Sequence, residues 1–279
     1  MLNYFRNTSV FLFVFFIACG PNGNGALVRL NNARNLYLNK EYTQAKQEID
    51  SIHLLYPKAF DERRAGMALL DTIRRAENLQ IMTECDSLIT LYTPELEKIK
   101  SGFLYQRNKE YQETGTYVPK EGITNAISTT TLRSGVGEDG QLYLESVFIG
   151  QQKHNQIKVS TKDGTFIQSL QVNDDGLNYR FSNLGKNYEI VRFAGESENG
   201  IARFIFSNQD KNLTITLDGG GRCTYTLPQI IKSAVSKSFQ LSTMIIQLDS
   251  LKKAKEEAEF KIYYLDNEKG KKAKETGEI

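Results

Sequence analysis

The hydrophobic period changes twice along this 279-residue chain, which rules out a fold of a single structural class. From Leu27 to about Gln112, apolar residues recur every three to four positions, the spacing that places them on one side of an α-helix. After Gly115 the pattern becomes short alternating or β-branched runs separated by turn residues, and after Pro228 helical spacing returns over the longest uninterrupted stretch. This order predicts an α+β chain. N-terminal helical hairpins come first, then an antiparallel β-sandwich or barrel, then a long coiled-coil-like helix at the C-terminus. The expected boundaries are 27–114 for the helical part, 115–227 for the β part and 228–268 for the long helix.

Within the first part, Leu27, Leu30, Ala33, Leu36 and Tyr37 share one face. After a break at Asn39-Lys40-Glu41, the residues Tyr42, Ala45, Ile49 and Ile52 form a second face that ends before Pro57. Ala33, Leu36, Tyr42, Ala45, Ile49, Ile52 and Pro57 resemble the small, large and terminating positions of one tetratricopeptide-type repeat. The resemblance implies two closely packed helices, with Ala45 as the small residue that lets them approach. The Gly usual beside the first small position is absent, and Asn32 stands before Ala33. Residues Phe60–Leu91 read as a long amphipathic helix, and Thr93-Pro94-Glu95 as the start of another, with Pro at a permitted first-turn position. Stacked repeats need three or more units for a continuous core. The alternatives are therefore a hairpin that packs on its neighbours and a generic helical bundle.

The β part contains the runs Ile127–Leu132, Gln141–Ile149, Gln156–Ser160, Thr165–Val172, Tyr179–Phe181, Tyr188–Phe193, Ile201–Phe206, Leu213–Leu217 and Cys223–Leu227. Turn signals such as Glu138-Asp139-Gly140, Lys162-Asp163-Gly164 and Asp174-Asp175-Gly176 separate them, as antiparallel hairpins require. Gly219-Gly220-Gly221 follows one strand and precedes another. It has neither the helix nor the Gly-Lys-Ser/Thr ending of a phosphate loop, so a hairpin turn is expected there.

In the last part, Ile230, Ala234, Lys237, Leu241, Met244, Leu248, Leu251, Lys255, Ala258, Ile262 and Leu265 alternate at spacings of four and three. Ile231, Val235, Phe239, Ile245 and Ile246 widen the first half of the stripe, enough for burial against a domain. Antiparallel pairing with the Phe60–Gln112 helices is expected over homo-oligomerisation. Residues 269–279 are expected to form a disordered basic tail.

The N-terminus reads as an address. Met1–Thr8 is polar with one basic side chain, Arg6; Val10–Ile17 is wholly apolar; Ala18-Cys19-Gly20 is a small-residue junction. As a helix the apolar run rises about 12 Å, less than half of a ~30 Å hydrocarbon core, so a signal peptide over 1–18 is expected and not a span. Phe16-Ile17-Ala18-Cys19 resembles the lipobox of bacterial lipoproteins, with Phe16 where Leu is usual. The resemblance implies cleavage between Ala18 and Cys19, lipidation of the Cys19 thiol, and a flexible tether over 19–26. It also implies an address: no Asp follows Cys19 and no acidic residue precedes Glu41. The expected location is the cell envelope, lipid-anchored in the outer membrane and facing the periplasm.

Candidate chemistry is sparse. A net charge of +2 from 35 basic and 33 acidic residues leaves no concentrated basic surface for nucleic acid. The two histidines, His53 and His154, have no Cys or carboxylate at zinc-ligand spacing. Cys85 falls in a helix and Cys223 in a strand without local partners; in an oxidising compartment they could pair only with Cα atoms within about 7 Å. Asp174-Asp175 reads as a turn pair. No catalytic, metal or cofactor residue is therefore expected. The expectation is a non-enzymatic interaction or scaffold lipoprotein, held to the membrane through lipid on Cys19, whose helices dock a protein partner. The alternative is a glycan- or peptide-binding module on the β part, using Tyr143, Tyr179 or Tyr188 if they are exposed and not core.

Overall fold

The computed structural model describes residues 24–122, 128–173 and 178–276, with side chains through Asn267. The expected signal peptide, Cys19 and the Asp174-Asp175 turn lie outside the described residues. The chain forms two compact units, one of Met1–Met82 with Glu257–Ile279 and one of Thr83–Glu256. It is an α+β protein with two antiparallel sheets and a long C-terminal helix.

In the first unit, α1 (Asn24–Leu38) and α2 (Tyr42–Leu55) precede the start of α3 (Phe60–Lys100). The turn between α1 and α2 places Lys40 at φ 63°, and Glu41 N–H donates to the Leu36 carbonyl. Ala33 and Ala45 are fully buried beside Ile49, Leu70 and Ile73, where the lack of a long side chain permits close helix approach. A second cluster joins Ala26, Leu30 and Ile52. Arg29–Glu48 and Lys46–Glu77 ion pairs border these contacts.

Two expectations about α3 need correction. The helix runs through Pro94 without restarting, although Pro removes one backbone donor. Packing outweighs that loss: Leu96 and Ile99 rest on a cluster of Phe103, Val136 and Leu241. The helix also stops at Lys100, not near Gln112, because Gly102 closes its end by donating to the Ile99 carbonyl. Residues beyond it enter the β region.

That region, in the second unit, comprises β1 (Phe103–Gln106), β2 (Thr116–Pro119), β3 (Thr131–Gly137), β4 (Leu142–Ile149), β5 (His154–Thr161), β6 (Phe166–Gln168), β7 (Tyr179–Asn183), β8 (Lys186–Ala194), β9 (Leu213–Gly219) and β10 (Arg222–Thr226). One sheet has the order β1-β2-β3-β4-β8-β7 and the other β10-β9-β5-β6. Side chains alternate along each strand, and the inward set of both sheets meets in one core. Leu132, Leu144 and Phe193 of the first sheet join Ile157, Leu213, Ile215 and Leu217 of the second.

The run Ile201–Phe206, expected as a strand, is a helix, α4 (Ile201–Ser207). Ile201, Ala202 and Ile205 are its buried residues, a helical spacing that a short apolar run does not reveal by itself. Glu198 accepts hydrogen bonds from the Gly200 and Ala202 N–H groups at its start. The expected Thr165–Val172 strand shortens to β6.

The last helix, α5 (Gln229–Thr276), begins after Pro228, whose carbonyl accepts from the Ile231 and Lys232 N–H groups. It extends into the segment expected as a tail. Its first half is anchored on the β region: Ser238 Oγ lies 2.9 Å from Ser134 Oγ, and Ser242 Oγ donates to the Gly140 carbonyl at 2.6 Å. Ala234, Leu241, Leu248 and Ala258 of the expected seam are buried, whereas Ile230 is exposed. Ion pairs link α3 and α5 within each unit, Lys255–Asp86 in the second and Arg75–Asp266 in the first.

Candidate functional site

The outward face of the six-stranded sheet carries a row of half-buried charged side chains beside a tyrosine. Strand pairing builds it. Arg133 on β3 stands opposite Glu145 on β4, and Glu145 stands opposite Arg192 on β8, so three charged residues form a row across three strands. Their neighbours one step along, Leu132, Leu144, Val191 and Phe193, point the other way into the core.

The row is unequally engaged. Arg192 donates to Glu145 Oε1 from Nε at 3.1 Å and from Nη2 at 2.6 Å. Its guanidinium also lies 4.2 Å from the centre of the Tyr143 ring, a cation–π geometry. Tyr143 in turn lies across Gly135, where a Cβ would collide with the phenol ring. Burial, reinforced by the Glu145 charge, pushes the Tyr143 phenol up. Arg133 has no hydrogen bond or ion pair among the described residues, because Glu145 is already committed to Arg192. A groove of about 1140 Å³ runs beside this row, walled by the β1–β2 loop from Arg107 to Gln112.

Farther along the same face, Phe181 on β7 stacks on Tyr188 of β8, with ring centres 4.9 Å apart and planes at 8°. Tyr179 continues the aromatic row beside Ile190. Of the tyrosines weighed from sequence, Tyr179 is exposed while Tyr143 and Tyr188 are half-buried, so none is a closed core residue. Arg133, Glu145 and Arg192 were not legible as a set: they are far apart in the chain, and only strand register joins them.

The remaining candidates fall elsewhere. His53 on α2 accepts at Nδ1 from Arg63 Nε at 3.1 Å. His154 opens β5 and is buried, with Nδ1 2.6 Å from Glu189 Oε2. Arg180 Nε donates to the other oxygen of Glu189 at 2.7 Å. Burial pushes the Glu189 carboxyl up, but hydrogen bonds from His154 and Arg180 outweigh it and hold it below the usual carboxylate range. Cys85 is buried and Cys223 half-buried, and both thiols are free. The triple glycine is the β9–β10 turn, with Asp218 paired to Arg222 across it. A Cβ on Gly219 would come within 2.8 Å of the His154 Cα, so glycine serves backbone approach there.

Among the described residues, no group of three or more His, Cys, Asp or Glu side chains could hold a metal ion, and no helix is long and apolar enough to cross a membrane. No family model, curated protein or solved structure matches this chain.

Proposed function

We propose that the chain is a membrane-anchored envelope lipoprotein, acylated at Cys19, that binds a protein partner without performing chemistry on it. The observation that carries the binding part is the Arg133–Glu145–Arg192 row beside Tyr143. Arg133 is uncommitted among the described residues and can meet a carboxylate of the partner. Tyr143 and Arg192 are already held in place, so little side-chain entropy is lost when they are covered. Tyr and Arg are also the residue types that dominate binding hot spots.

Finer features of the architecture fit the same reading. The α1–α2 pair, with Ala33 and Ala45 buried between helices, suits a tetratricopeptide-like hairpin. The core shared by the two sheets suits a sandwich more than a barrel. On α5, the exposed Phe260, Tyr263 and Tyr264 offer helical docking area.

A photo-cross-linking amino acid at position 109, an exposed site on the groove wall beside the row, compared with one at the exposed Lys162 turn, tests the proposal in cells. A discrete adduct from position 109 that disappears with Arg133→Ala or Tyr143→Ala supports it; monomer alone, or the same adducts from both positions, counts against it. A second reading, glycan binding, rests on the Phe181–Tyr188 stack and Tyr179, which form a flat aromatic surface. A glycan array separates the two: retention that depends on Tyr179 and Phe181 favours the glycan.

A further inference from the structure

The groove beside Arg133 is a parting of the six-stranded sheet. β2 meets β3 at only two register positions, Thr116 opposite Gly137 and Tyr117 opposite Val136, whereas β3 meets β4 at six. A proline ends the pairing. Lys120 N–H donates to the Gly102 carbonyl on the β1 side, so strand alternation turns position 119 toward β3, where Pro119 has no N–H to give. Past that point Val118 and Pro119 line the groove from β2 and Arg133 lines it from β3. The buried Ile231 and Ala234 of α5 give it an apolar floor.

Its charges do not balance. Glu121 is held by Lys237 and by Ser233 Oγ at 2.7 Å, and Glu145 is held by Arg192. Arg107, Lys109 and Arg133 line the same groove without an ion pair among the described residues, against Glu110 alone. Arg107 gives Nε to the Gln112 carbonyl at 3.2 Å, which leaves its charge unmatched. The excess is local, since the whole chain carries only +2. Two elements present these cations, the β1–β2 loop and β3, which favours a ligand with more than one carboxylate. At about 1140 Å³ the groove also exceeds the ~300–1,000 Å³ of small-molecule pockets and suits a chain segment.

We propose that this groove receives an extended acidic segment of the partner protein, an inference that rests on the protein-binding reading above. In an extended chain successive side chains point to opposite faces. Two acidic residues flanking an apolar one then place one carboxylate on Arg133 and the other on Arg107 or Lys109. The apolar side chain between them turns onto Ile231 and Ala234. Arginine clusters read acidic motifs through charge-assisted hydrogen bonds, bidentate where a guanidinium faces a carboxylate. Arg133 has all its guanidinium donors left for that contact among the described residues.

Fluorescence anisotropy of the full chain with a labelled hexapeptide of alternating Glu and Leu tests this, with the Gln–Leu hexapeptide as its neutral match. The Glu–Leu peptide should bind, with an affinity that falls as salt rises. The Gln–Leu peptide should bind about tenfold more weakly or worse. Arg133→Ala, and Arg107→Glu combined with Lys109→Glu, should each weaken the Glu–Leu peptide by about tenfold, the scale of a binding hot spot. Lys162→Ala, outside the groove, should bind as wild type does. No binding of the Glu–Leu peptide, equal binding of the two peptides, or an affinity unchanged by either groove variant overturns the inference, as does equal weakening by Lys162→Ala. A partner adduct from position 109 in cells, without binding of the acidic peptide, would remove this inference and leave the protein-binding reading standing.

Discussion

Arg192 holds Glu145 with two nitrogens, at 2.6 and 3.1 Å to the same oxygen, and that bond leaves Arg133 on the opposite side of Glu145 without a partner among the described residues. Two arginines flank one carboxylate, and among the described residues only one of them is paired. In the proposed reading, that surplus cation is what an acidic group of the partner would meet.

The two arginines should therefore separate in a urea titration. Arg192→Ala removes the Glu145 bonds and the Tyr143 stack, and the partly exposed pair makes the loss about 1 kcal/mol. Arg133→Ala should stay within about 0.5 kcal/mol of wild type, as surface changes without partners do, while abolishing the partner adduct. Equal destabilisation by both would mean that Arg133 is structurally engaged.

Gly219→Ala should destabilise the β region by about 1–3 kcal/mol, the scale of forcing a side chain into a glycine conformation. Its φ is 155° and the new Cβ would meet the His154 Cα at 2.8 Å. Gly220→Ala has its nearest contact at 3.5 Å and should cost less. Thermal melts of the two variants give the order directly, and the reverse order would contradict the packing described.

Asp163 should titrate well below an ordinary aspartate. Hydrogen bonds from the Thr161 hydroxyl and from Thr165 hold its carboxyl at about 2, against 3.8 for the free side chain. A depressed folded-state value means that its stabilising effect is complete above 3.8 and is lost as pH falls toward 2. An NMR titration of the Asp163 carboxyl carbon should show a midpoint near the lower value, and a midpoint near 3.8 would remove the Thr161–Asp163 bond from the account.

Much of the architecture was legible because period is a local property. Alternation in β4 and β8, the Asp163-Gly164 turn and the apolar stripe of α5 each depend on neighbours in sequence. Errors came where a longer-range contact outweighed the local signal. Packing of Leu96 and Ile99 carries α3 through Pro94, and burial of Ile201 and Ile205 selects a helix from a run that reads equally well as a strand. Gly102 was a readable stop signal for α3 that helical periodicity masked. The candidate sites were the least legible part. His154 meets Glu189 across 35 residues, and Arg133, Glu145 and Arg192 meet only through the registers of β3, β4 and β8.

The claim on which location and function both rest is lipidation of Cys19. Cells fed a radioactive fatty acid and expressing wild type or Cys19→Ala, followed by membrane fractionation, measure it directly. The account predicts a labelled, membrane-bound wild-type protein and an unlabelled Cys19→Ala variant that is lost from the membrane fraction. Label that persists in Cys19→Ala, or a wild type that takes up none, would contradict it.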